Sequence, residues 1–146
     1  MSFKKDRKKP CSTCPFRKDN ITKSSLDLGG ATPFTYIGQS IGPFWLPCHM
    51  DKNYEWKDSD TSKVNQCAGA AIYRTNVGVA DNMHDQILTL PEDKELVFAT
   101  HAEFLAHYME VSVEDAENFF KQNPDALNNF LMKELEDMKV RIEKLQ

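Results

Sequence analysis

Four cysteines carry the chemistry that can be read in this chain: Cys11 and Cys14 in CSTCPFR, Cys48 in LPCHM and Cys67 in QCAGAA. The two residues between Cys11 and Cys14 let both sulfurs turn toward one ion, with backbone N–H groups of the same loop placed to hydrogen-bond them. A thiol titrates near 8.5, so gathering thiolates at neutral pH costs free energy that a bound metal offsets. Four thiolates make a complete ligand set for one inorganic centre. Cys48 and Cys67 stand far along the chain, so the fold must carry them to the first pair.

The possible centres use such ligands differently. A zinc ribbon brings two Cys-x-x-Cys knuckles that each chelate independently, whereas here the second pair is split by 18 residues and lacks knuckle glycines. A four-iron cluster is larger and tolerates dispersed ligands. The expected cofactor is therefore a 4Fe-4S cluster on Cys11, Cys14, Cys48 and Cys67, with one zinc ion as the alternative. Pro10 and Pro15 bracket the first pair and Pro47 precedes Cys48, each fixing a φ angle and stiffening its loop. Cys67 falls near the start of a helix, where the dipole favours a thiolate. The small residues Ala68 to Ala71 that follow suit either close approach of a bulky group or tight helix packing. Phe16, Phe44 and Trp45 are placed to shield a cluster from water.

Two polar residues adjoin this set. His49 is a substitute ligand or a neighbour that contacts a ligand or a substrate. Arg17, three residues after Cys14, offsets the negative charge of the centre or clamps an anion. His84, His101 and His107 have no ligand-like grouping with the cysteines and read as structural or surface residues.

Charge is unevenly spread within the net −4. Residues 1–23 hold eight Lys and Arg against two Asp, a balance of +6, while residues 81–146 hold six against fifteen, a balance of −9. Lys4, Lys5, Arg7, Lys8 and Lys9 form a basic arm that contacts nucleic acid or an acidic protein, or else serves as a solubilising terminus. No apolar run approaches the ~20 residues of a membrane span, and no apolar segment follows the basic start as in a secretory signal. The expectation is a cytoplasmic protein, where thiols are more often ligands than disulfides.

The elements that must position the cysteines are mainly α. The reading is a small metal-centred N-terminal half with irregular loops, packed on a C-terminal helical half. Residues 1–9 are a basic flexible arm; residues 10–146 form a single domain, with a four-cysteine metal-binding half over 10–80 and an acidic helical half over 81–146. Thr32-Pro33 starts a short helix with Phe34, Ile37 and Ile41 on one face, ended by Gly42-Pro43. Residues 17–31 and 51–63 read as loops. A second helix begins around Ser62 to Asn65 and stops at Gly78. Residues 79–99 read as loop, with Leu96 to Ala99 as the one stretch that suits a short buried strand. Thr100 to Glu103 is a capping box, Ser112 caps the next helix, and the last runs from Pro124 to the end. Its stripe of Leu127, Leu131, Leu135, Met138, Ile142 and Leu145 packs on its own domain, or pairs with a protein partner or a second copy of the chain.

The order Cys11-x-x-Cys14-Pro15-Phe16-Arg17, then Cys48-His49, then Cys67-Ala68-Gly69 resembles a family of small bacterial and phage proteins with no assigned activity. Tryptophan is commoner than phenylalanine at the position of Phe16 in that family. The resemblance covers about residues 10–72 and implies a shared metal site and a phage or mobile-element origin, with the host cytoplasm as the location; it implies no reaction.

The expected function is a non-enzymatic binding or regulatory factor, organised by its four-cysteine centre, that acts on a nucleic-acid or protein partner. Four cysteine ligands favour structure or electron transfer over substrate chemistry, and the chain has no Gly-rich phosphate loop, H-E-x-x-H or G-x-S-x-G. The alternatives are a redox or cluster-dependent enzyme using Arg17 and His49, and a metal-stapled structural module of a larger assembly.

Overall fold

The computed structural model describes residues 8–10, 14–19, 32–42, 65–83 and 86–144, apart from the side chains of 82, 138 and 141–144. The described chain is mainly α. Its elements are α1 (Pro33–Ile41), α2 (Ala68–Asn76), a 3-10 turn (Ala80–Asn82), α3 (His101–Met109), α4 (Val113–Gln122) and α5 (Ala126–Lys144). No β-strand occurs among the described residues; an isolated antiparallel bridge joins Arg17 to Val97.

Local chemistry sets most helix starts. The Thr32 hydroxyl accepts the Thr35 N–H ahead of Pro33, the Thr100 hydroxyl accepts the Glu103 N–H, and the Ser112 hydroxyl accepts the Asp115 N–H. Each satisfies a backbone donor that the first helical turn leaves open. Glu103 reaches back to the Ala99 N–H at 3.1 Å, one residue before the cap. The second helix starts later than its sequence pattern suggests. Cys67, not a residue at 62–65, is its N-cap, because the sulfur itself accepts the Ala70 N–H.

Helix α2 is the most buried of the described helices. Ala68 through Arg74 are all buried, as expected of a helix surrounded by other elements. It also organises the segment 86–98, which has almost no regular structure of its own. Gln66 donates to the Gln86 carbonyl and accepts the Leu88 N–H, the Thr75 hydroxyl donates to the Leu90 carbonyl, and Asn76 donates to the carbonyls of Asp93, Val97 and Phe98. Buried backbone polar groups need partners, and here side chains around α2 supply them. The stretch 96–99 is therefore held as a bridged loop rather than as a strand.

Phe16 packs against three helices. It is 1% exposed, and its ring centroid lies 6.0 Å from Tyr36 of α1, 5.1 Å from Tyr73 of α2 and 5.4 Å from Phe104 of α3. Burying such a side chain stabilises by ~2–3 kcal/mol. Helix α5 lies on α1, with Phe130 stacked near Phe34 at 5.0 Å. A Cβ on Gly38 would sit 2.7 Å from the Phe130 carbonyl oxygen, so glycine permits this approach. The first part of the terminal stripe is thus used within the chain. Leu127, Leu131 and Leu135 are half-buried, beside the buried Ala126 and Glu134. The stripe positions at Met138, Ile142 and Leu145 lie outside the described side chains, as the loops at 20–31 and 51–63 and the apolar run 44–46 lie outside the described residues.

Candidate metal centre

Cys14 and Cys67, 53 residues apart in sequence, meet with their sulfurs 3.7 Å apart. The spacing is far beyond the ~2.05 Å of a disulfide bond. Cys14 is 1% exposed and Cys67 9% exposed.

The chain delivers each sulfur by a distinct device. Cys67 caps α2, with Ala70 N–H donating to its Sγ at 3.4 Å. This position places the sulfur in the positive field of the helix N-terminus. Cys14 arrives on a tight turn in which Arg17 N–H donates to the Cys14 carbonyl at 3.1 Å. Lys18 N–H to the Leu96 carbonyl and Phe98 N–H to the Phe16 carbonyl then tie that turn to the loop before α3, at 2.9 and 3.2 Å. The Tyr108 hydroxyl adds a hydrogen bond from α3 to the Pro15 carbonyl. Gly69 completes the fit, because a Cβ there would stand 2.2 Å from the Cys14 sulfur. The small-residue run after Cys67 therefore makes room for the turn that carries Cys14.

Of the residues singled out from sequence, Cys14 and Cys67 are brought together. Cys11, Cys48 and His49 lie outside the described residues, as do Lys4, Lys5 and Arg7. Among the described residues no group of three or more His, Cys, Asp or Glu is gathered as a metal site. Arg17 grips Asp19 with both ends of its guanidinium, at 2.8 and 2.7 Å, and reaches the Pro10 carbonyl at 3.4 Å. That hydrogen bond from Arg17 holds the Asp19 carboxyl below its ordinary value. Lys8 and Lys9 are exposed and line a cleft of about 470 Å³ together with Arg17, Glu92 and Asp93, over a floor that includes Ile72 and Leu96. The described end of the basic arm thus faces a rim of both signs.

Sequence reasoning missed Arg74. It lies seven residues after Cys67, two turns along the same face of α2, and is 1% exposed. Its Nη2 donates to the Leu88 carbonyl at 2.9 Å, while Nε and Nη1 have no hydrogen-bond partner among the described residues. Burial pushes its pKa down to about 10, and the charge of Cys67 partly opposes that shift. A buried cation without a carboxylate partner is costly; here Cys67 lies near enough for its charge to act on the guanidinium. The one sequence signal is a lone arginine in an otherwise small and apolar helix, at heptad distance from a cysteine.

Comparisons with protein-family models, with curated proteins and with solved structures returned no match to this chain.

Proposed function

We propose that this protein is a metal-organised binding factor in which Cys11, Cys14, Cys48 and Cys67 hold one zinc ion. The carrying observation is the 3.7 Å between the sulfurs of Cys14 and Cys67. Ligands ~2.3 Å from a tetrahedral ion are ~3.8 Å from each other, the edge of the tetrahedron. In a four-iron cluster each thiolate binds its own iron at an outer corner, which spreads the sulfurs beyond contact. The spacing fits the edge of a single-ion site and is also the contact distance of two buried thiols, so a 4Fe-4S cluster on the same four cysteines is the alternative centre. Zinc held by four thiolates has no open position, so the metal supplies folding free energy and rigidity rather than catalysis. The Arg74 guanidinium, which feels the charge of Cys67, would offset part of the thiolate charge.

The metal would staple the ligand loop to α2 and so fix where the basic arm leaves the body. The arm residues Lys4, Lys5, Arg7, Lys8 and Lys9 then present a cluster of cations to a nucleic-acid backbone or an acidic protein face.

Two measurements test this reading. Protein purified without oxygen is assayed for zinc, iron and acid-labile sulfide; one zinc per chain and no sulfide is expected, and stoichiometric sulfide would overturn the single-ion centre. Binding to a labelled DNA duplex is then followed against salt. The wild type should weaken steeply as salt rises, and a variant with Lys4, Lys5, Lys8 and Lys9 changed to Gln should lose both affinity and salt slope. An identical slope in that variant would remove the arm from the interface.

A further inference from the structure

A second site lies away from the cysteines, where α3, α4 and the start of α5 enclose a cleft of about 360 Å³. Its volume falls within the ~300–1,000 Å³ of small-molecule sites. Phe120, Pro124 and Leu127 give it apolar walls, Glu117 and Lys121 a charged rim, and His101 an inner polar group.

His101 is locked from behind. Its Nδ1 is paired with the hydroxyl of Tyr73, a side chain with no exposure. Burial raises the Tyr73 pKa well above its ordinary value, and the Glu103 charge adds to the shift, so the phenol keeps its proton. Burial likewise lowers the His101 pKa to about 4, leaving a neutral ring. A buried O–H needs an acceptor, and Nδ1 is the one at hand. The hydroxyl therefore donates to Nδ1, which fixes the ring proton on Nε2. The far edge of the ring then offers an oriented N–H donor to the cleft. Lys121 adds an ammonium group on α4 with no ion pair among the described residues. Glu117, one turn earlier on α4, is the acidic group that faces the same opening.

We propose that this cleft binds a small monocarboxylate with an apolar body. The carboxylate accepts from His101 Nε2–H and pairs with Lys121, and the body lies against Phe120 and Leu127. This site is independent of the metal centre and of the basic arm, so it stands or falls separately from the reading above. Glu117 limits affinity by repelling the same carboxylate.

The test uses the full-length protein as purified and benzoate as the probe, followed by two-dimensional amide NMR. Saturable shifts confined to α3, α4 and the first turns of α5 are expected, with the His101 ring showing the Nε2–H tautomer. Lys121→Gln, a change at the exposed rim, should weaken binding about tenfold, the size of one lost charge-assisted hydrogen bond. Glu117→Gln should tighten it, a direction that a merely structural role for α4 does not produce. His101→Phe should abolish the directional preference for benzoate over benzyl alcohol. Absence of saturable shifts, benzyl alcohol binding as well as benzoate to the wild type, or equal benzoate affinity in wild type and Lys121→Gln would each overturn the proposal.

Discussion

Replacing Gly69 by alanine should destabilise the protein, and should do so only while Cys14 keeps its sulfur. An alanine in the first turn of a helix normally stabilises, by up to ~1 kcal/mol relative to glycine. Here the added methyl would stand 2.2 Å from the Cys14 Sγ and 3.2 Å from the Phe16 Cβ. Comfortable contact is nearer ~3.5–4 Å, so the sulfur has to retreat by more than an ångström into a packed core. Such overpacking costs ~1–3 kcal/mol. The balance predicts a net loss of about 1 kcal/mol for Gly69→Ala in the native background. In a Cys14→Ala background the obstructing sulfur is absent, and the same substitution should be neutral or stabilising. The coupling between the two positions should then reach about 2 kcal/mol. Urea unfolding of the four proteins of the cycle, with a chelator and a thiol reductant present throughout, reads this coupling without any contribution from metal. The same effect of Gly69→Ala in both backgrounds would refute the placement of Cys14 against α2.

Other consequences follow from the same geometry. His101 has an ordinary pKa of 6.5 that burial lowers to about 4. The unfolded chain therefore takes up a proton first as pH falls, and stability should drop between pH 6.5 and 4 by about 3 kcal/mol from this group. The fall should be shallower in His101→Gln, as measured by urea midpoints across that range; an unchanged slope would contradict the buried neutral ring. Arg74 lies ~10 Å along the helix from Cys67, a distance at which a partly buried charge pair is worth ~1.5 kcal/mol. Arg74→Met should accordingly weaken zinc binding about tenfold or more, which a competition titration against a chromophoric chelator will read. Asn76→Ala should destabilise by about 3 kcal/mol, because it strips partners from the backbone of 93–98, and amide exchange in that segment should accelerate. A Tyr108→Phe variant should lower stability by about 1 kcal/mol through loss of its hydrogen bond to the Pro15 carbonyl, and a larger loss of zinc affinity than of stability would mark that bond as a positioner of the ligand loop.

What is legible in the sequence divides by range of interaction. Helix caps are local chemistry, so Thr32-Pro33, Thr100 with Glu103, and Ser112 mark their helices within a residue. Cys67 falls near a helix start in the sequence pattern, and its sulfur is the cap itself, a role more familiar from hydroxyl and carboxylate side chains. That substitution is why the helix begins at Ala68 instead of at 62–65. The meeting of Cys14 and Cys67 is legible because the chain has few cysteines and their chemistry gives them a reason to converge. Gly38 gives no comparable signal, since its purpose exists only when α5 lies across α1. The segment 86–98 has no periodicity because its backbone is satisfied by Gln66, Thr75 and Asn76 from elsewhere. His101 has no cysteine neighbours to mark it, and its partner, Tyr73, lies 28 residues earlier. Arg74 is marked in the sequence only as a lone charge in its helix, and its burial is not legible there, because burial of an arginine depends on everything packed around it.

The most direct test is X-ray absorption at the edge of whatever metal accompanies protein purified under nitrogen. A single ion held by Cys11, Cys14, Cys48 and Cys67 should give four sulfur neighbours at ~2.3 Å and no metal–metal scattering. A second metal in the scattering shell, or a chain that keeps less than a stoichiometric ion while its four thiols stay reduced, would contradict it.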